Sequence, residues 1–250
     1  DNDGGNGGGD TGPLAPNEND MKDPCEQRRY VDKMANDPIF KDQNASIHVN
    51  TSSTGFEYGT NQRLTNWNGT GTAINTPVTT NGQAASWTPR FTWNATDGFT
   101  IGYSHGHPGG SGPSPADVWS IIYPAFNGLN GATQAEKNFY QSHTYVNTET
   151  PTGSYIVTIR DWGSMQSIYN DSWDSDAKKA ETNRQYQEHA SWFYIINSSA
   201  TPGQAGTYAL MKLFPDLINV YFKPHGSNQY NPLYIEDSNE FEFLLPTPCP

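Results

Sequence analysis

The sequence IGYSHGHPGGSGPSPADVW, at residues 101–119, decides the fold and the site. It holds His105 and His107 one residue apart, and Asp117 follows in the first turn of a predicted helix. Residues i and i+2 of a strand point to the same face, so a strand over 99–105 delivers both imidazoles to one side. Two imidazoles and a carboxylate suit Zn²⁺, and three protein ligands leave a fourth position for water. This layout is typical of a catalytic zinc site.

Each half of this pattern also has an ordinary structural interpretation. A His-x-His pair in a loop is often polar surface. The sequence SPAD at 114–117 is a good helix start, with Ser at the N-cap, Pro at the first helical position and an acid at the third. The two halves joined by a short loop indicate a site much more specifically than either half alone.

The same run resembles the signature of the JAMM (MPN-plus) zinc metallopeptidases. That signature is an apolar strand with Gly, then His-x-His-Pro, a short loop and Ser-x-x-Asp, with a Glu from an earlier strand. The chain has HGHP at 105–108 and SPAD at 114–117. The family usually places seven residues between the second His and the Ser, whereas this chain has six. Flanking segments resemble, more loosely, secreted or surface proteins of bacteria that carry a similar motif.

The resemblance implies a role for each residue of the site. His105, His107 and Asp117 would hold Zn²⁺, and the Ser114 hydroxyl would hydrogen-bond the oxyanion of a protein or peptide substrate at a peptide or isopeptide amide bond. Glu57 is the candidate general base by position, because it is the only Glu between Glu26 and the histidines. The alternative for Glu57 is an exposed acid on a strand.

The fold that the resemblance implies is α/β, with a three-layer core like that of JAMM proteins and cytidine deaminases. A mixed central sheet would be flanked by helices and carry long loop insertions. The sequence pattern agrees with this alternation. We predict a helix over 24–42 that is interrupted at Asp37-Pro38, strands and long loops over 43–98, a helix over 114–126 and late strands over 207–214 and 217–222.

Composition limits the classes of function. The 250 residues carry a net charge of −12 with only 16% charged residues, so the basic stripe of a nucleic-acid-binding protein is missing. No apolar stretch approaches the length of a membrane span. Residues 1–20 are Gly-rich and acidic, which predicts a flexible tether that would attach the protein to a cell surface. We predict that residues 21–250 form a single domain. The start at Asp1 without Met predicts a processed form.

The two cysteines lie near opposite ends of the chain, at Cys25 and Cys249. The termini of a domain often lie close together, so a disulfide between them is expected, and two unrelated thiols are the alternative. A disulfide indicates an oxidising compartment, and we therefore expect a secreted, periplasmic or cell-surface protein.

Two other classes of function stay open at this point. One is a metal-free, catalytically inactive JAMM-like binding module. The other is a surface domain that binds or cleaves glycans, suggested by the aromatic residues and the Asn-rich loops, although no carboxylate pair for a glycosidase is apparent. The remaining histidines considered, His143, His189 and His225, lack metal-ligand spacing, and we predict structural or surface roles for them.

Overall fold

The computed structural model describes residues 21–238 and 241–249. Seven α-helices lie within these residues: α1 (Pro24–Ala35), α2 (Pro38–Thr54), α3 (Pro115–Tyr123), α4 (Gln134–His143), α5 (Trp162–Ser172), α6 (Asp176–Ile196) and α7 (Pro202–Leu213). A π-helical turn, Pro124–Gly128, continues α3. The strands are β1 (Gly59–Leu64), β2 (Ala73–Ile74), β3 (Trp93–Asn94), β4 (Gly98–Gly106), β5 (Tyr145–Thr150), β6 (Gly153–Ile159), β7 (Ile218–Pro224), β8 (Asn231–Ser238) and β9 (Phe241–Pro246).

These strands form one mixed sheet in the order β2-β1-β4-β5-β6-β7-β8-β9, with β3 paired to β4. β4 and β5 run parallel, and the other paired strands are antiparallel. Helices cover both faces of the sheet. The protein is therefore mixed α/β with a three-layer arrangement, which agrees with the fold expected from the resemblance.

The alternation of side chains along the central strands divides the core into two halves. On β6, Ile156 packs with α1 and α2 on one face of the sheet. Its neighbours Tyr155 and Val157 pack with α3, α6 and α7 on the other face. Because successive residues of a strand point to opposite faces, a strand that is apolar throughout must be covered on both sides.

The interruption predicted at Asp37-Pro38 divides 24–42 into two helices, and the second helix runs well beyond the predicted end. Asp37 interrupts the first helix and caps the second, accepting hydrogen bonds from the backbone of Ile39 and Phe40. The prediction of strands and loops was wrong for 43–54, where α2 continues. The sequence signal was weak because polar Gln43 and Asn44 share the buried face of α2 with Phe40 and Ile47.

The predicted strand over 207–214 is also wrong, because residues up to Leu213 belong to α7. This helix starts at a capping box in which Thr201 Oγ1 accepts from the Gln204 backbone N–H and Gln204 Oε1 accepts from the Thr201 N–H. Burial then covers most of the helix surface between the sheet and α6. An apolar run buried all round has no helical period and is easily mistaken for a strand.

The predicted disulfide is present. Cys25, near the start of α1, is bonded to Cys249, with the two Cα atoms 5.5 Å apart. The predicted tether over 1–20 lies outside the described residues. None of the described helices is both long and apolar enough to cross a membrane.

Candidate metal centre

The two histidines of the motif lie at the end of a central strand. β4 begins at Gly98, which directly follows the turn at 95–97 and adopts a φ of 90°, and the strand runs between β1 and β5. His105 is the second-last residue of β4 and His107 follows the strand directly. Both side chains are buried. The strand thus delivers both imidazoles to one place, as the i, i+2 spacing predicts.

The glycine between the histidines is required by close packing. A Cβ at Gly106 would lie 2.3 Å from Thr51 Oγ1 on α2. A Cβ at Gly59, the β1 partner of His105, would lie 2.4 Å from the Trp87 ring. Real Cβ atoms do not approach other atoms so closely, so α2 and Trp87 reach the site only because these positions lack side chains.

His105, His107 and Asp117 converge in the folded chain. His105 Nε2 lies 2.9 Å from His107 Nε2 and 3.0 Å from Asp117 Oδ1. His107 Nε2 lies 3.8 Å from Asp117 Oδ2. One ligand atom from each side chain lies within 4.8 Å of the other two, so the three residues form a group that could hold a metal ion.

The loop after β4 contacts His107 through Ser111. His107 Nδ1 lies 3.1 Å from both the carbonyl oxygen and the hydroxyl of Ser111, and because a carbonyl only accepts, its contact favours the tautomer in which Nδ1 carries the proton and donates. Nε2 then keeps its lone pair and faces His105. Histidine ligands of metals usually donate their other N–H to a carbonyl or carboxylate in this way.

Ser114 holds the carboxylate of Asp117 from one side. Its backbone N–H donates to Asp117 Oδ2 at 2.6 Å, and its hydroxyl donates to the same oxygen at 2.9 Å. Asp117 Oδ1 is left for His105. The helix start that the sequence predicts at SPAD therefore also orients the acid of the site.

The pKa values of His105, His107 and Asp117 are shifted by their burial and by one another. Burial would lower the pKa of His105, but the Asp117 carboxylate outweighs it and the pKa is raised. Burial would raise the pKa of Asp117, but His105 outweighs it and holds the pKa well below its usual range. Burial and the neighbouring His105 lower the pKa of His107. These shifts favour the protonated form of His105, the carboxylate form of Asp117 and the neutral form of His107.

Glu57 joins this group from the loop that precedes β1. Its Oε1 lies 3.8 Å from His107 Nε2, and its backbone N–H donates to the Gln83 carbonyl at 2.8 Å. The side chain is buried, which raises its pKa, and the Asp117 charge adds to the increase while His105 opposes it. The acid found by position therefore lies at the site, although it precedes the strand rather than belonging to it.

The donor set fits Zn²⁺. With Zn–N bonds of about 2.0–2.1 Å and tetrahedral angles, ligand atoms lie roughly 3.3 Å apart. The distances of 2.9 and 3.0 Å from His105 Nε2 to its two partners are close to this value. The hydrogen bonds from His107 to Ser111 and from Ser114 to Asp117 supply the outer partners that metal ligands need.

A cavity of about 240 Å³ opens beside these residues. Its wall includes Glu57, His105, Asp117 and the loop residues Trp87 and Pro89. The Trp87 ring stacks on that of His105 at 6.2 Å between centroids. A larger cavity of about 890 Å³ lies elsewhere, and its lining includes none of His105, His107 and Asp117.

A second group of possible metal ligands lies nearby and was missed by the sequence analysis. It consists of His48, Glu149 and His225. These residues come from α2, from β5 and from the turn after β7, so no short spacing connects them. His143, in contrast, is fully buried in the core against Phe139, in agreement with a structural role.

The chain was compared with the profiles of known protein families, with curated proteins and with solved structures, and none of these matches it. The assignment of His105, His107 and Asp117 as a group that could hold a metal ion rests on their geometry.

Proposed function

We propose that this protein is a zinc-dependent hydrolase of the JAMM type that cleaves a peptide or isopeptide amide bond. The observation that carries the proposal is the convergence of His105, His107 and Asp117 with Glu57 at one cavity. A metal-binding group alone suits a structural or catalytic ion. A buried acid beside it, opening onto a cavity, favours catalysis.

His105 Nε2, His107 Nε2 and Asp117 Oδ1 are the atoms that would hold Zn²⁺. A bound Zn²⁺ lowers the pKa of a coordinated water to about 7 and thereby supplies a nucleophile at neutral pH. The Ser111 carbonyl and Ser114 keep the ligands in the required protonation state and orientation.

Glu57 is the proposed general base and acid. Its carboxylate takes the proton of the attacking water and returns it to the leaving amine. Burial raises the pKa of Glu57, which brings it closer to the neutral range where a group can both accept and donate a proton.

Ser114 is the proposed donor to the developing oxyanion. In the resting site its hydroxyl donates to Asp117 Oδ2, so it must turn away to serve the substrate. The backbone N–H of Ser114 holds the same carboxylate oxygen, so Asp117 keeps one of its two hydrogen bonds when the hydroxyl turns. Hydrogen bonds aimed at developing charge contribute strongly to catalysis.

An extracellular location is proposed on separate grounds. The disulfide between Cys25 and Cys249 forms and persists in oxidising compartments. We propose that the protein acts in the periplasm, at the cell surface or after secretion, with a protein or peptide as its substrate.

The test is a cleavage screen with the zinc-loaded protein against peptide and isopeptide libraries, with products identified by mass spectrometry. We expect cleavage by the wild type and none by His105→Ala/His107→Ala. Glu57→Gln should retain zinc and lose at least about 10²-fold in rate, as is typical for a positioned acid or base.

The matched controls are His189→Ala and Glu188→Gln, which change the same residue types on α6 outside the metal-binding group. Both should cleave like the wild type. Zinc binding without cleavage of any amide would contradict the hydrolase and favour the binding module. Undiminished turnover by Glu57→Gln would remove Glu57 from the mechanism.

A further inference from the structure

We propose that His48, Glu149 and His225 form a second site, which binds a divalent transition metal ion such as Zn²⁺. One ligand atom from each side chain lies within 4.8 Å of the other two. The site would join α2 to the end of β5 and to the turn after β7. It is separate from the candidate catalytic centre, because it shares no ligand with that group.

The topology brings these three residues together. In the sheet, Glu149 pairs with Ser154 on β6, and Ser154 pairs with Lys223 on β7, so His225 follows β7 close to the end of β5. α2 packs against β4 and β5 and carries His48 to the same edge. The His48 and His225 rings are in contact, with centroids 4.2 Å apart.

His225 already has the partner that a metal-bound imidazole needs. Its Nε2 lies 2.8 Å from the Thr150 carbonyl oxygen, which only accepts, so Nε2 carries the proton. Nδ1 then has the free lone pair, and a metal bound there leaves the hydrogen bond to Thr150 intact. This is the same arrangement that His107 shows toward Ser111.

Glu149 is a buried carboxylate held in one orientation. Oε1 accepts from Asn147 Nδ2 at 2.9 Å, and Oε2 accepts from Ser154 Oγ at 2.7 Å. A carboxylate has about four lone-pair positions, so both oxygens retain capacity for a metal. Hydrogen-bonded carboxylates are the usual form of metal-ligating acids.

The charges around Glu149 leave room for a cation. Within the described part of the chain, Glu149 forms no ion pair, and the nearby Lys223 places its ammonium over the Tyr230 ring at 4.7 Å. Two imidazoles and one carboxylate are a donor set that suits Zn²⁺.

The two sites are neighbours through the backbone. The His107 N–H donates to the Glu149 carbonyl oxygen at 2.8 Å. His48, Glu149 and His107 also line one small gap of about 10 Å³ between the sites. A metal bound to the Glu149 side chain would therefore stabilise β5, the strand whose backbone accepts the hydrogen bond from His107.

The test measures zinc stoichiometry by elemental analysis after Zn²⁺ loading and desalting. We expect two equivalents per chain for the wild type and one each for His105→Gln/His107→Gln and His48→Gln/His225→Gln. In the former variant, adding Glu149→Gln should weaken the remaining zinc affinity about tenfold or more, measured by competition with a chromophoric chelator. His189→Gln is the matched control and should bind like the wild type.

Circular dichroism confirms that each variant is folded. A folded His105→Gln/His107→Gln variant that binds no zinc would overturn the second site. The same conclusion would follow if the wild type bound only one equivalent of zinc and this variant lost it. If zinc were retained by that variant and lost only from His48→Gln/His225→Gln, the second site would stand and the proposed catalytic centre would fail.

Discussion

Ser114 contributes two donors to one oxygen of Asp117, and only one of them is a side chain. We predict that Ser114→Ala lowers zinc affinity about 10–100-fold, because outer partners of metal ligands typically contribute this much. The measurement is competition with a chromophoric chelator. Ser175→Ala is the control, since Ser175 also begins a helix but lies at α6, outside the site. Equal zinc affinity for Ser114→Ala and the wild type would contradict the role of the hydroxyl.

The buried His143 makes the stability of the folded protein depend on pH. Burial lowers its pKa to about 4, although the hydrogen bond to the Phe139 carbonyl acts in the opposite direction. In the unfolded chain the pKa of His143 is about 6.5. Between this value and the lower pKa of the folded state, the unfolded chain is protonated at His143 while the folded protein is not. The stability that the neutral ring provides is thus present above pH ~6.5 and is lost as the pH falls toward about 4.

We therefore predict a smaller loss of stability in acid for His143→Asn, whose amide can keep the hydrogen bond to Phe139. Between pH 7 and pH 4.5, the wild type should lose roughly 2–3 kcal/mol more than the variant. Urea unfolding at both pH values, with chelator present, measures the difference. Parallel losses in the two proteins would show that His143 is protonated in the folded state.

At the scale of elements, α2 packs closely against β4 at Gly106, between the two histidines. Gly106→Ala should force α2 away from the strand, because the new Cβ would meet the Thr51 side chain at 2.3 Å. We predict a loss of about 1–3 kcal/mol in the free energy of unfolding, the usual cost of overpacking, together with weaker zinc binding. Urea unfolding and chelator competition measure the two effects.

Gly109→Ala is the control for this change, since nothing lies within 4 Å of a Cβ there. It should be close to neutral. Thr51→Ala should partly rescue Gly106→Ala, because it removes Oγ1 and Cγ2, two of the three nearest atoms. Equal stability of Gly106→Ala and Gly109→Ala would contradict the close approach of α2.

The elements that the sequence predicts well are those with local signals. The helix that starts at Pro24 and the helix after Ser114 both follow from local capping signals, with Asp23 and Ser114 at the N-cap positions. The parts that failed depend on burial by distant segments. In α2, Gln43 is on the buried face because its amide reaches the Thr76 carbonyl at 2.9 Å, which no local pattern encodes.

At the scale of the whole molecule, the two groups of metal ligands were unequally predictable. His105, His107 and Asp117 lie within one motif, so spacing alone brings them together. His48, Glu149 and His225 meet only after β5, β6 and β7 pair and α2 docks on the sheet. The first group is therefore apparent from the sequence and the second is not, although both lie around the ends of the parallel strands β4 and β5.

The disulfide joins the two ends of the described fold across a sequence separation of 224 residues. The cross-link restricts the unfolded chain. For a loop of this length the chain-entropy model gives a stabilisation of about 4–5 kcal/mol, and removing a native disulfide from a small secreted domain typically costs about 2–5 kcal/mol. Cys25 belongs to α1, and Cys249 follows β9, so the bond ties the helical layer to the end of the sheet.

We predict that Cys25→Ser/Cys249→Ser lowers the free energy of unfolding by about 2–5 kcal/mol. Reductant should destabilise the wild type by a similar amount and leave the double variant unchanged, which separates loss of the bond from any effect of the substitutions. Urea unfolding with and without reductant measures both, and non-reducing mass spectrometry should find a Cys25–Cys249 linked peptide. Two alkylatable thiols in wild-type protein produced in an oxidising compartment would contradict the bond and remove the main support for an extracellular location.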